Sequence, residues 1–262
     1  RGANLDGSSL QRTKLGGADL NRASMVRANL DHASLAGADL RGANLTNADL
    51  RFASLQDANL TAANLQDSRI GGAKFEGAVL HGAILADVDL SSVDFSGAKI
   101  SLGACRMSAE MQIQFRDHAL WTDTNGGDGQ RASFASAAMA GADLDGIFLA
   151  GADLSSCDLS EAILTRAQLV LADLRDANLT AADLSYSYLS GANFDGANLT
   201  RARLVHARLG SIELMEPDGS LSGRRVRTRL GNADLTDADL THTDLGDAEL
   251  DDSEFQITNG SA

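Results

Sequence analysis

The 262-residue chain has one proline, one tryptophan and two cysteines, and aromatic residues make up 4% of it. So few rings would leave a conventional globular core of this length short of bulk. Two cysteines, Cys105 and Cys157, cannot build a disulfide framework. Both fall on or beside apolar beats and read as reduced, buried or semi-buried thiols, which fits a cytoplasmic setting. No apolar run is long enough for a membrane span or a secretory leader. The chain begins in mid-pattern at Arg1-Gly2-Ala3-Asn4-Leu5 without a methionine, as a truncated or processed product would. Basic residues are outnumbered, with 22 Lys and Arg against 36 Asp and Glu, a net charge of -14 that argues against direct nucleic-acid binding.

What the chain has instead is a metre. From Gly37 to Leu65 a large apolar residue returns every five positions, at Leu40, Leu45, Leu50, Leu55, Leu60 and Leu65. Two residues before each stands an alanine, with Asp, Asn or Ser between the two. A five-residue beat cannot hold one face of a helix, nor the strict alternation of a long strand. It suits a short extended segment, a corner and another segment, coiling so that Ala and Leu face one axis. Repetition at a small fixed period marks a solenoid, in which each coil buries its core on its neighbours. Phe75 and Phe95 share the leucine position twenty residues apart, which suits four segments per coil.

Units such as Ala43-Asn44-Leu45 and Ala172-Asp173-Leu174 resemble those of the pentapeptide-repeat family over about four-fifths of the chain. The resemblance implies an all-β fold, a right-handed four-sided β-helix solenoid, with Leu or Phe and the small residue two earlier both inside. Interior Ala and Leu would fill a narrow shaft that rings would overfill, each Leu stabilising by about 1.5–3 kcal/mol.

The first block of coils is expected over 1–105, its beat running from Leu5 to Ile100. Ser8, Thr13 and Ser68 replace alanine there, while Val79, Ile84 and Leu85 read as apolar residues on outward positions. A helix and glycine-rich connector follow over 106–130. Ser108 is the expected N-cap, Glu110 suits the first turn, and Met111, Phe115 and Ala119 give an apolar face. Asn125-Gly126-Gly127-Asp128-Gly129 closes the helix. Whether this connector bends the stack or divides it stays open. A second block over 131–214 is displaced in phase and ends at Leu214. A loop or hairpin insertion over 215–229 holds the turn signal Glu216-Pro217-Asp218-Gly219 and a cluster of Arg224, Arg225, Arg227 and Arg229. Acidic coils over 230–255 and a polar tail over 256–262 complete the chain. About eleven coils at ~4.8 Å each would make a rigid rod of roughly 50 Å.

No catalytic group emerges, and the chain reads as non-enzymatic, with no cofactor and no metal. The five histidines, at 32, 81, 118, 206 and 242, have no ligand spacing. His32, His81 and His206 read as solvated corners, and His118 as packed one helical turn from Trp121. Asp123 to Gly129 lacks the carboxylate and glycine positions of a calcium loop, and no phosphate loop is present. Outward Asp and Asn read as residues that suit the backbone beside the corner.

Two surfaces are candidates for a protein partner. Residues 1–100 hold 10 basic and 11 acidic side chains, but residues 231–262 hold nine acids and no Lys or Arg. Asp234, Asp237, Asp239, Asp244, Asp247 and Glu249 therefore read as an anionic band, either a solvated end or a docking surface for a basic partner. Phe148, Gln168, Tyr188 and Arg208, spaced by twenty, would stack on one outward face. The main reading is an interaction or scaffold module, monomeric or dimeric. The family resemblance implies an alternative, the DNA-mimicking quinolone-resistance proteins that occupy a type II topoisomerase. Against it stand a nearly neutral first hundred residues and no apolar C-terminal helix to form a dimer.

Overall fold

A computed structural model describes residues 1–101, 103, 107–216 and 220–251. Cys105, the turn at Pro217-Asp218-Gly219 and the tail from Asp252 lie outside the described residues. The chain divides into unit 1, Arg1–Gln130, and unit 2, Arg131–Ala262.

In unit 1 the residue between Ala and Leu bridges in parallel to the residue twenty further on through most of the coils, as in Asn4↔Ser24↔Asn44↔Asn64↔Ile84. The ladder is made of main-chain bonds. Leu45 N–H donates to the Asn64 carbonyl at 2.7 Å, and Asn44 N–H donates to the Ala23 carbonyl at 2.9 Å. Between bridges the chain turns. Ala43 N–H donates to the Leu40 carbonyl at 3.0 Å, and the residue before the alanine, Gly42, has φ 62. A four-residue turn with its third residue left-handed favours glycine, yet Arg12, His32 and Phe52 take the same conformation. The outward Asp or Asn helps: Asn59 Oδ1 accepts from Thr61 N–H at 3.0 Å, and Asp89 Oδ1 from Ser91 N–H at 3.0 Å. This side-chain cap on the turn is the physical reason for Asp and Asn at the repeat's middle position.

Alanine and leucine fill the interior, with Leu40, Leu45, Leu50, Leu55, Leu60 and Leu65 wholly buried and Ala beside each. Phe75 stacks on Phe95 with ring centroids 5.1 Å apart, as their twenty-residue spacing requires. Leu85 is buried in this core, contrary to its expected outward position, because it stands on the leucine beat after Leu80. Ile84 is also covered, so no exposed apolar patch forms at Ile84 and Leu85.

Helix α1 (Ala109–Asp123) is capped by Ser108, whose Oγ accepts from Met111 N–H at 3.3 Å. Its covered face is Gln112, Phe115, His118 and Ala119 rather than the expected Met111, Phe115 and Ala119, and Ile113 is exposed. The helix rests on the turn residues of successive coils. A side chain at Gly82 would meet Ala119 Cβ at 2.7 Å and Phe115 O at 2.7 Å, and one at Gly42 would meet Leu120 Cδ2 at 3.8 Å. Arg41 binds Asp123 at 2.9 Å, and Arg22 binds Asp128 beyond the helix end. As α1 advances it therefore passes back from the coil of residue 82 to that of residue 42, and the chain beyond it reaches that of residue 22.

Unit 2 repeats the bridging, as in Asp143↔Ile163↔Asp183↔Arg203, then widens its spacing to 36, at Asn193↔Arg229 and Arg208↔Asp244. The extra sixteen residues (36 less 20) hold the antiparallel pair β1 (Ile212–Met215) and β2 (Leu221–Val226), with Met215 opposite Leu221. Leu214, expected to be the last leucine of the second block, lies in β1. Thr228, fully buried, returns the chain to the coils: its Oγ1 accepts from Gly191 N–H at 2.9 Å. Spacing then resumes at twenty with Arg229↔Glu249.

Candidate interaction surfaces

Outward side chains of unit 2 form four ladders, one from each successive repeat. One runs Phe148↔Gln168↔Tyr188↔Arg208↔Asp244. Phe148 is half-buried and Tyr188 is 37% exposed, with the Arg208 guanidinium 5.1 Å from the centre of the Tyr188 ring. The four residues expected on one face thus share it, and Asp244 extends their column.

The anionic band is not a single surface. Asp234 ends the ladder through Asn178 and Asn198, Asp239 the one through Asp183 and Arg203, Asp244 that of Tyr188, and Glu249 that of Arg229. Consecutive repeats turn a corner, so acids five residues apart point different ways. Several are also occupied. Asp234 Oδ1 accepts from Thr236 N–H at 2.9 Å, and Asp239 Oδ1 from the Thr241 hydroxyl at 2.6 Å. Hydrogen bonds from Thr236 and Thr241 hold these two carboxyls below the usual range. Asp247 accepts from Ser211 N–H at 2.9 Å, which likewise lowers it, while Asp237 is exposed on a left-handed turn.

The expected arginine cluster divides too. Arg227 lies 3.7 Å from Asp247 and 3.5 Å from Glu249, and Arg229 lies 2.5 Å from Asp195. Arg224 and Arg225 are exposed on β2, near exposed Met215 and Leu221.

Elsewhere, Asp39, Asp49 and Asp173 each accept three bonds from the arginine two residues on, one from its main-chain N–H and two from its guanidinium. The Arg41, Arg51 and Arg175 guanidiniums hold their carboxyls below the usual range. Cys157 is wholly buried, as expected, and burial pushes its thiol up to about 12, leaving an unreactive core residue.

His81 departs from its solvated reading. It is half-buried beside Gly82, and burial, with Lys99 nearby, pushes it down to about 4. His206 is exposed as expected, but it is not isolated: its ring stacks between Tyr186 and His242, at 4.9 Å from each. His32 pairs similarly with Phe52 at 4.9 Å. His118 is buried and stacks on Trp121 at 5.7 Å.

A profile for pentapeptide repeats matches in eight copies, over residues 1–25, 23–61, 63–101, 132–169, 172–210 and 227–256. The chain belongs to the pentapeptide-repeat family. Its bridged coils are a β-helix, to which α1 and the β1–β2 pair are additions. Among solved pentapeptide-repeat structures it is similar to HetL of the cyanobacterium Nostoc sp. strain PCC 7120, a protein involved in heterocyst differentiation regulation. Identity there is 28%, over 99% of this chain and 91% of that one, with a TM-score of 0.36. A protein of the Arabidopsis thaliana thylakoid lumen is 35% identical over 34% of this chain and 66% of its own, with a TM-score of 0.24. QnrB1, a plasmid-mediated fluoroquinolone resistance protein, is 15% identical over 92% of this chain and 88% of its own, with a TM-score of 0.27. No curated protein matches. No described helix is long and apolar enough to cross a membrane, and no group of three or more metal-ligating side chains occurs among the described residues.

Proposed function

We propose that this pentapeptide-repeat protein is a non-catalytic interaction or scaffold module, its coils wound as a right-handed, four-sided β-helix. Bridges twenty residues apart with a turn every five support four sides. The observation that carries the functional reading is a division of labour along the repeat. Inward positions are buried Ala and Leu almost throughout, so recognition falls to the outward ladders. The ladder holding Tyr188 and Arg208 is the best candidate, since aromatic and arginine side chains dominate interface energetics.

The test is quantitative recovery of a partner from a lysate of the source organism. The double variant Tyr188→Ala, Arg208→Glu should lose a partner that Asp234→Asn, Asp239→Asn retains. Equal recovery by both moves the surface off this ladder.

Topoisomerase inhibition by DNA mimicry receives less support. A duplex mimic needs continuous anionic faces, whereas these acids are spread over four ladders and the turns between them, and Asp247 and Glu249 are paired with Arg227. Gyrase supercoiling assays with and without fluoroquinolone decide it: neither inhibition nor protection removes the reading.

A further inference from the structure

His206 and His242 are 36 residues apart, yet the β1–β2 insertion returns the chain in phase, so the second ring lands against the first. Both occupy the left-handed third position of a turn, with φ 59 and 58, and both are exposed. His206 N–H donates to the Thr241 carbonyl at 3.1 Å, which fixes the two backbones in adjacent coils. The ring centroids are 4.9 Å apart and the planes differ by 15°.

We propose that His206 and His242 form a two-imidazole site for a divalent transition-metal ion of borderline softness, such as Zn2+, Ni2+ or Cu2+. Imidazole nitrogen suits these ions, whereas Ca2+ and Mg2+ prefer oxygen donors. With metal–nitrogen bonds of ~2.1 Å and tetrahedral or square geometry, the two donors must stand ~3–3.4 Å apart. Rings held 4.9 Å apart reach that span by tilting towards each other at one edge. As exposed side chains they can tilt without disturbing the core, while the bridged coils keep their backbones in register. Water fills the other coordination positions. Asp239, on the same repeat as His242, and Asp244, on the next, add negative potential that raises the local cation concentration. The two imidazole ligands lie off the docking ladder, and the site needs no partner.

Unit 1 contains its own control. His32 and Phe52 pair at the same 4.9 Å on a corner column, tilted by 32°, but with one imidazole in place of two. The experiment is calorimetric titration of the untagged full chain with NiCl2 and with ZnCl2 at pH 7.5. One ion should bind per chain. His206→Ala and His242→Ala should each weaken binding at least about tenfold, and His32→Ala should leave it unchanged. Phe52→His, at an exposed position, should raise the stoichiometry to two. No binding of either ion up to millimolar concentration overturns the proposal. So does binding that survives either alanine substitution at 206 or 242, or that depends equally on His32. If Phe52→His misfolds, the single-alanine comparison decides alone.

Discussion

Each unit carries one addition to its coils, and each addition rests over glycine on a corner. In unit 1, α1 lies on the column of Gly42 and Gly82. In unit 2, the base of the β1–β2 pair lies at Gly191, where a side chain would meet Ile212 Cγ2 at 2.9 Å and Val226 Cγ1 at 3.4 Å. The fastening differs. The helix buries Phe115 and Ala119, is tied by Arg41 to Asp123, and sets its backbone against Gly82. The hairpin is held at its root and leaves Met215 and Leu221 exposed at the other end. One addition covers the coils; the other projects from them.

The two glycines give the sharpest way to break this comparison. Alanine at Gly82 would face Phe115 O at 2.7 Å and Arg116 Cα at 2.9 Å, main-chain atoms that cannot yield unless the helix shifts. Alanine at Gly191 would face the tips of Leu171 and Ile212 at 2.8 and 2.9 Å, which can rotate away. Both also bear the cost of a left-handed alanine. Gly82→Ala is expected to cost about 2–4 kcal/mol and Gly191→Ala about 1–2 kcal/mol. Denaturant unfolding of the two variants measures this. Equal costs would mean that α1 is held no more firmly than the hairpin.

The position of α1 is only narrowed by the sequence, and only when it is read in columns. Written twenty to a row, residues 42, 62 and 82 read Gly, Ala, Gly, while the corner column two repeats away reads His, Phe at 32 and 52. Glycines also stack at 17, 37, 77 and 97, where a side chain at Gly17 or Gly37 would meet nothing within 4 Å, so a small-residue column leaves room for a cover without showing that one is there. The coil interior was legible from the five-residue beat, and Ser108 from its capping chemistry. The covered face of α1 was not, because it includes Gln112 and His118 and so breaks the apolar period. Leu85 stands on the beat after Leu80, and its inward position is masked in the sequence by its apolar neighbour Ile84 on the outward one. The acidic girdle looked like a patch because five residues along the chain is one corner around it. The pairing of His206 with His242 is hidden in the sequence because the hairpin displaces one of them by sixteen residues from the twenty-residue column.

Acid should distinguish the units next. Carboxyls lowered by hydrogen bonds contribute stability above their ordinary range near pH 4, and this is lost as pH falls through their lower folded values; they occur in both units. His81 is in unit 1. Its folded value of about 4 lies below the ordinary 6.5, so between these the unfolded chain binds the extra proton. Stability should therefore fall as pH drops from 6.5 towards 4, by about 1–2 kcal/mol after allowing for partial exposure. His81→Gln should flatten this limb of a Tm-against-pH curve. An unchanged slope would remove His81 as its source.

The ion pairs come below that. Arg41 reaches both Asp39 at 2.6 Å and Asp123 at 2.9 Å and is mostly covered, so Arg41→Gln should cost about 1 kcal/mol. Arg227, more exposed and 3.5–3.7 Å from its carboxylates, should cost less than about 0.5 kcal/mol when replaced by Gln. Comparable losses would show that the hairpin root is clamped electrostatically as α1 is.

The smallest effect is expected at the hairpin's free end. Met215 and Leu221 face each other across the strand pair at 68% and 66% exposure, so they bury little apolar surface and stabilise little. The double change Met215→Ser, Leu221→Ser should alter unfolding stability by less than about 0.5 kcal/mol. Two strands joined only to each other are marginal in water, so their amides should exchange faster than those of α1, and α1 faster than Leu45 or Leu174 in the coils. Slow exchange in β1 and β2, or a large loss in the double variant, would mean that this end is covered in solution and that the hairpin is part of the packed body.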